Sequence, residues 1–506
     1  LMNTSAFLDH LRSLPSYRDQ IVHHEYLPSR EASYGELAEP LNSALQSIVD
    51  TFHLLPLYRH QAAAINAARS GENVVIATPA ASGKTLCYNL VVLNSMLEDK
   101  GSRALYLFPT KALAQDQLRS LEELTSRLRV KNATFDGDTP NWQRSEIKRS
   151  ANIVLSNPDM LHIGILPNHR SWWRLLSQLK YVVIDEAHIY RGVFGSHVAN
   201  VVRRLRRLCA HYGSQPQFIC CSATIANPKE HAERLCGIPF QAITEDGSPH
   251  GGKDFVFWNP PLIDEAKSVR RSANSEATLL LTELMRNGIR SLAFAKTRRL
   301  TELIYLYVRE QLAGTPDLGE RIKPYRAGYL PEERRQIERE LFGGWLLAAV
   351  ATTALELGID IGDLDATVLS GYPGSIASTW QQAGRSGRGK EDSLSFLIGL
   401  DNPLDQYFMR HPEVFFGKSY EHALIDPKNQ HILKPHLLCA AWELPLTDGA
   451  QRFFEGDLEP SMAELEGEGF LRHRGGRWYP APSVIYPAQD INIRTTSAES
   501  YGLVDV

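Results

Sequence analysis

The chain has 506 residues, room for three or four domains at roughly 100–200 residues each. Hydrophobic residues make up 43% and charged residues 22%, a globular balance that excludes a disordered or fibrous chain. The 54 basic and 58 acidic side chains, net −4, exclude a uniformly basic nucleic-acid coat but not a local basic groove.

No apolar run nears the ~18–20 residues needed to cross a bilayer. Leu1-Met2 reads as an added leader, and the first residues lack the basic-then-apolar pattern of a secretory signal. A cytoplasmic protein with no membrane partner is expected. The six cysteines, Cys87, Cys209, Cys220, Cys221, Cys236 and Cys439, form no CxxC pair, so reduced core thiols are expected rather than a disulfide framework or zinc knuckle.

The first 50 residues pattern as helix. Short apolar runs then alternate with amphipathic stretches. Strands are expected at 73–77, 103–108, 152–155, 181–184 and 217–221, with a helix over 111–128. A Pro/Gly-rich break covers 247–261. Strands resume at 291–295, 345–350, 366–369 and 395–398. Continuous apolar strands with helical crossovers imply parallel sheets covered on both faces, so the fold class is α/β, with two such units in series. Past Asp401 come helices at 436–444 and 461–467, then a basic hairpin around Gly475-Gly476. This predicts a small winged-helix-like module, with 491–506 strand-like. The expected boundaries are 1–50, 51–245, 246–402, 403–490 and 491–506.

The sharpest local feature is Thr78-Pro79-Ala80-Ala81-Ser82-Gly83-Lys84-Thr85, between a strand and an apolar helix. Backbone N–H groups at such a helix start wrap a polyphosphate. Ala81, Ser82 and Gly83 would line it, Lys84 would reach the β/γ-phosphates, and Thr85 would place its hydroxyl on Mg²⁺. One departure is Thr78, where a glycine is usual.

Asp185-Glu186-Ala187-His188 follows an apolar strand. An acidic pair there is costly unless it serves metal or base chemistry. Asp185 would hold Mg²⁺, Glu186 would orient or deprotonate the attacking water, and His188 could couple the site to its neighbours. In the second unit, Gln381-Gln382-Ala383-Gly384-Arg385-Ser386-Gly387-Arg388-Gly389 can aim two guanidinium groups at a phosphate. Arg385 and Arg388 are therefore candidate arginine fingers.

These three motifs, in this order, resemble the superfamily 2 helicases. Tyr58-Arg59-His60-Gln61 looks like that family's adenine-reading segment, with Gln61 on the base edge. Pro109-Thr110-Lys111, Gly137-Asp138-Thr139 and Ser156-Asn157-Pro158-Asp159 look like its strand-contacting motifs. Ser222-Ala223-Thr224 is similar to the segment linking ATP state to closure. Lys296-Thr297-Arg298 and Thr352-Thr353-Ala354-Leu355-Glu356-Leu357-Gly358-Ile359-Asp360 match later motifs. The resemblance implies two RecA-like domains. It places Gln381, Gly358 and Asp360 at the nucleotide. It places Thr110, Lys111, Gly137, Asp138, Thr139, Asn157, Arg298, Thr352 and Thr353 on nucleic acid. Thr110 and Thr139 could instead cap helices.

Ala81–Thr85, Gly371-Tyr372-Pro373-Gly374-Ser375-Ile376-Ala377-Ser378-Thr379-Trp380 and His436-Leu437-Leu438-Cys439-Ala440-Ala441 look like the bacterial YprA-type helicases. These are also called the mitomycin repair factor A type, and are similar to the Hrq-type relatives of RecQ helicases. That resemblance implies 3′→5′ movement on single-stranded and tailed duplex DNA, crosslink repair alongside nucleases, and a nucleoid-associated monomer. It also implies a C-terminal domain with four zinc-binding cysteines. No cysteine follows Cys439, so the chain is expected to stop short of that domain and to hold neither zinc nor an iron–sulfur cluster.

The expected cofactors are ATP and Mg²⁺, with ATP in the cleft between the two α/β units. Arg474 and Arg477 of the hairpin and a base-stacking Trp380 or Trp478 are candidate wedge elements, although each Trp could equally pack within its own domain. Three other readings stay open: an RNA helicase or remodelling ATPase, a double-strand translocase, and an ATP-gated clamp. A metabolic P-loop kinase is disfavoured, because the arginine pair lies roughly 300 residues downstream, beyond a single kinase domain.

Overall fold

The computed structural model describes residues 3–264, 266, 269–326, 328–356, 362, 364–387, 391–417, 420–454, 456 and 458–495. The chain divides into two compact units. One, the nucleotide-motif unit, comprises Tyr34–Thr78, Gly83–Glu245 and His422–Val506. The other, the arginine-motif unit, comprises Leu1–Ser33, Pro79–Ser82 and Asp246–Glu421.

The nucleotide-motif unit is built on a seven-stranded parallel sheet in the order Asn132–Thr134, Ile153–Ser156, Arg103–Leu107, Leu179–Ile184, Gln217–Ser222, Val74–Ala77, Gln241–Ile243. Successive strand residues face opposite sides, and each side has its own core. Val75, Leu105, Leu107, Val154, Val182, Ile184 and Cys220 join one core. Val74, Ile76, Tyr106, Leu155, Val183, Ile219 and Cys221 join the other. Burial on both faces explains why these strands carry unbroken apolar runs. All six cysteines are buried and unpaired, and burial pushes the Cys87, Cys209 and Cys439 thiols up to about 12, as inert core residues.

The arginine-motif unit holds a second seven-stranded sheet, in the order Ile21–Leu27, Lys253–Trp258, Ser393–Ile398, Ala366–Ser370, Ser291–Phe294, Ala348–Ala351, Ile322–Tyr325. All its pairings are parallel except the first. Three sequence expectations are corrected here. The first 50 residues are helical at Thr4–Ser13 and from the start of the helix Ser43–Thr51, but Ile21–Leu27 is an edge strand whose alternating exposure suits a half-covered sheet edge. Phe7, Leu8 and Leu11 of the preceding helix enter this unit's core. The break expected at 247–261 contains the buried strand Lys253–Trp258: its Gly and Pro residues flank the strand and do not interrupt it. The strand expected at 345–350 starts only at Ala348, since Gly344 turns with φ +74° and Trp345 is exposed.

The C-terminal segment has the helices Gln430–Glu443 and Glu459–Gly467 and the hairpin Leu471–Arg474 with Arg477–Pro480. Gly475 and Gly476 both have positive φ, as a two-residue turn of this hand requires. Leu437, Leu446, Met462, Leu471 and Trp478 form its core. Residues 491–495 form no strand, contrary to expectation, and 496–506 lie outside the described residues.

Candidate nucleotide site and nucleic-acid interface

The phosphate loop leaves the strand Val74–Ala77 and enters the helix Lys84–Glu98. Thr78 is buried and has no positive φ, so the missing glycine is not needed there. Strain sits further on. Ala81 has φ +62°, which a residue with a Cβ rarely adopts, and Gly83 has φ +79°. A Cβ on Gly83 would be strained by that φ and would come 2.5 Å from Gln61 Nε2, displacing the amide from the loop. Lys84 Nζ donates to the Thr78 carbonyl at 2.8 Å, curling the ammonium over the loop.

Gln61 joins this loop to the helix Arg59–Arg69. Its Oε1 accepts from the Tyr58 N–H at 2.9 Å, and its Nε2 donates to the Gly83 carbonyl at 3.1 Å. Beside it opens a cavity of about 610 Å³ lined by Tyr34, Tyr58, Gln61, Thr85, Asn89 and Gln117 among others. Tyr34 stacks on Tyr58 at 5.9 Å. Sequence reasoning missed Tyr34, because it lies outside every motif.

Asp185 and Glu186 form the turn that follows the strand Leu179–Ile184. Asp185 is buried, its Oδ1 accepts the Glu186 N–H at 2.9 Å, and the Tyr88 hydroxyl lies 3.4 Å from its Oδ2. Burial, and next the Glu186 charge, push its carboxyl up to about 7, against a downward pull from Lys84. Glu186 turns through φ +51°. His188 Nδ1 accepts the Ala223 N–H at 3.1 Å, so this nitrogen carries no proton, and burial lowers the imidazole to about 4. The neutral ring thus ties the acidic quartet to Ser222-Ala223-Thr224. His231, another residue sequence reasoning missed, donates Nε2–H to the Ala187 carbonyl at 2.9 Å. The oxygen-only donors Thr85 and Asp185 suit Mg²⁺, and the crowded carboxylates are the charge such a cation would relieve.

Three adjacent strands of this sheet, Asn132–Thr134, Ile153–Ser156 and Arg103–Leu107, carry the expected strand-contacting residues just beyond their carboxyl ends, where open α/β sheets bind ligands. Thr110 Oγ1 caps the helix Lys111–Thr125, accepting from Leu113 N at 3.3 Å, and Asn157 caps the next turn through Met160 N at 2.8 Å. Lys111 Nζ pairs with Asp138 at 2.9 Å beside the exposed Gly137. Thr139 departs from expectation: its hydroxyl is turned into its own loop, accepting the Asp136 N–H at 2.9 Å, so it shapes the loop rather than facing outward.

In the arginine-motif unit, Arg298 is exposed at the start of the helix Arg298–Gln311, and Thr352-Thr353 follow the strand Ala348–Ala351. These two sites flow from adjacent parallel strands. Arg385 is buried, with Nη2 donating to the Glu356 carbonyl at 2.5 Å. Gln381 is also buried. Lys253, unremarked in the sequence, sits beneath this motif. Its Nζ donates to the Ala383 and Ser386 carbonyls at 2.9 and 3.0 Å, and burial lowers it to about 7. Trp380 is no free stacking platform: its half-buried ring packs on Phe255 and Phe415 at 5.2 and 5.7 Å. Trp478 is likewise buried, stacked on His473. Arg474 and Arg477 face each other, exposed, beside the hairpin turn. Gly358, Asp360 and Arg388 lie outside the described residues.

A phosphate loop, an Asp-Glu-Ala-His quartet and a coupled Ser-Ala-Thr segment on one sheet, with an arginine motif on a second, define a superfamily 2 helicase. Family models agree: DEAD/DEAH box helicase matches residues 58–231, helicase conserved C-terminal domain 276–390, and the winged helix domain of ATP-dependent helicase HRQ1 425–496. The chain is 45% identical over its full length to ATP-dependent helicase YprA of Bacillus subtilis, covering 67% of it. It is 40% identical to ATP-dependent helicase hrq1 of Schizosaccharomyces pombe, covering 49%. The crystal structure of the DUF1998 helicase MrfA bound to DNA and AMPPNP superposes with a TM-score of 0.92 at 44% identity, over 98% of this chain and 69% of that one. The chain belongs to the YprA/HRQ1 family of ATP-dependent helicases. It spans two thirds of the bacterial relative's length and about half of the yeast one's.

Proposed function

We propose that this chain is the motor of an ATP-driven DNA helicase that moves 3′→5′ on single strands, unwinds tailed duplexes and serves DNA repair. The observation that carries the reading is Lys84 curled over the phosphate loop, with the Asp185–Glu186 pair in its electrostatic reach and His188 bonded to Ala223. The likeness to a helicase crystallised with DNA and AMPPNP supports the choice of substrate.

Gln61 spends one N–H and one lone pair on the protein, leaving one of each for the edge of adenine above Tyr58. Lys84 leaves the Thr78 carbonyl for the β/γ-phosphates. Thr85 and Asp185 would hold Mg²⁺, which neutralises charge on the β- and γ-oxygens when bound. Glu186 takes a proton from the attacking water as its oxygen bonds to the γ-phosphorus and the bond to the β,γ-bridging oxygen breaks, giving ADP and phosphate. Arg385 and Arg388 are assigned to the charge on the transferred group, so Arg385 must exchange its present Glu356 partner during turnover. Loss of phosphate is felt at Ala223 through His188. The strand is gripped through its phosphates at Thr110, Lys111, Asn157, Arg298 and Thr352-Thr353.

The test is ATP turnover alone, with single-stranded DNA and with single-stranded RNA, alongside strand separation from 3′- and 5′-tailed duplexes. Stimulation by DNA with unwinding only from 3′ tails is expected. Glu186→Gln should cut turnover by about 10²–10⁴-fold while nucleotide still binds. Stimulation by RNA alone would make the protein an RNA-remodelling ATPase. Tight DNA binding without turnover would make it a clamp.

A further inference from the structure

The C-terminal segment returns to the strand-contacting edge of the nucleotide-motif sheet through one side chain. Arg494 Nε and Nη2 grip the Asp159 carboxylate at 2.9 and 2.7 Å, and Nη2 also donates to the Pro109 carbonyl at 2.8 Å. Its guanidinium lies 4.7 Å from the Phe194 ring centroid. Two neighbouring loops are therefore joined. One carries Thr110 and Lys111, the other Asn157, and they leave the paired strands Arg103–Leu107 and Ile153–Ser156. The same edge carries a second carboxylate, Asp138, and that too is paired, with Lys111.

An acidic group on a phosphate-binding edge is a liability, because a carboxylate and a phosphate repel across several ångströms. A fork-to-fork arginine is the side chain best suited to cancel it in a fixed orientation. We infer that Arg494 is a positioning residue for DNA: it masks the Asp159 charge and braces the two loops, so that the winged-helix segment sets the grip of the motor domain. This rests on the reading above that DNA crosses this edge.

The experiment measures single-stranded DNA affinity and DNA-stimulated turnover for the unaltered chain, Arg494→Ala, Asp159→Asn and the double variant, across a salt series, with melting midpoints as a folding control. Arg494→Ala should weaken DNA binding roughly tenfold at low salt, and the loss should shrink as salt screens the uncovered Asp159 carboxylate. Asp159→Asn alone should bind no more weakly than the unaltered chain, and the double variant should regain most of the loss. Failure of Asp159→Asn to rescue the loss would mean that Arg494 is itself a phosphate contact, and would overturn the inference. An unchanged Arg494→Ala would overturn it too. If the unaltered chain gains nothing from DNA, the functional reading falls and takes this inference with it.

Discussion

Asp185 shows what a buried carboxyl costs in stability. Its carboxyl, raised from 3.8 to about 7, binds a proton in the folded state that the unfolded chain has already released. Between these values the folded state holds more protons, so stability falls as pH rises, and the full penalty is present above about 7. Asp185→Asn should therefore be more stable than the unaltered chain at pH 8 in EDTA, with the gap closing towards pH 4. Denaturant midpoints across that range would check it, and the same variant should lose turnover. Lys253 is the counterpart below the arginine motif: Lys253→Met removes the donor to the Ala383 and Ser386 carbonyls, and should lower kcat far more than the KM for ATP, with Lys253→Arg restoring part of it.

Among the secondary elements, the helix Gly192–His211 docks the C-terminal helix Gln430–Glu443 through buried charge. Arg204 and Glu443 are both fully buried and paired through the guanidinium fork. His162 and His436 stand on Arg204 Nη1 at 2.7 and 3.2 Å, each neutral because burial lowers its pKa, and Arg207 donates to the Ala440 and Leu444 carbonyls. Arg204→Met strands a buried carboxylate and should cost about 3–5 kcal/mol, while Arg204→Met with Glu443→Met should recover most of it; urea denaturation of the two variants tests this. The hairpin is the opposite case, with its arginines in water. Replacing Arg474 and Arg477 with Ala should spare stability and DNA-stimulated turnover but slow strand separation from tailed duplexes.

For the whole molecule, a net charge of −4 means that any DNA grip is local. The logarithm of the affinity for single strands should then fall linearly with log salt, by a slope of about −0.7 for each phosphate neutralised, and a titration between low and physiological salt would count the contacts. Among the described residues no helix is long and apolar enough to cross a membrane.

The sequence by itself determined the sheet class and marked the motifs to which the chemistry is assigned. A phosphate loop and an Asp-Glu-Ala-His quartet are local: each needs only its own strand end and helix start, so the place of Lys84, Thr85, Asp185 and Glu186 in the fold was legible from spacing. Parallel strands buried on both faces also announce themselves as unbroken apolar runs. Only the tertiary structure decided what depends on distant partners. Ile21–Leu27 is a strand because Lys253–Trp258 offers it an edge, and Trp380 is packed because Phe415, far along the chain, meets it. Lys253, Tyr34 and Arg494 carry no motif. Their roles come from carbonyls, rings and a carboxylate that folding alone brings within reach, and a contact set by three-dimensional proximity leaves no periodic trace in a linear sequence.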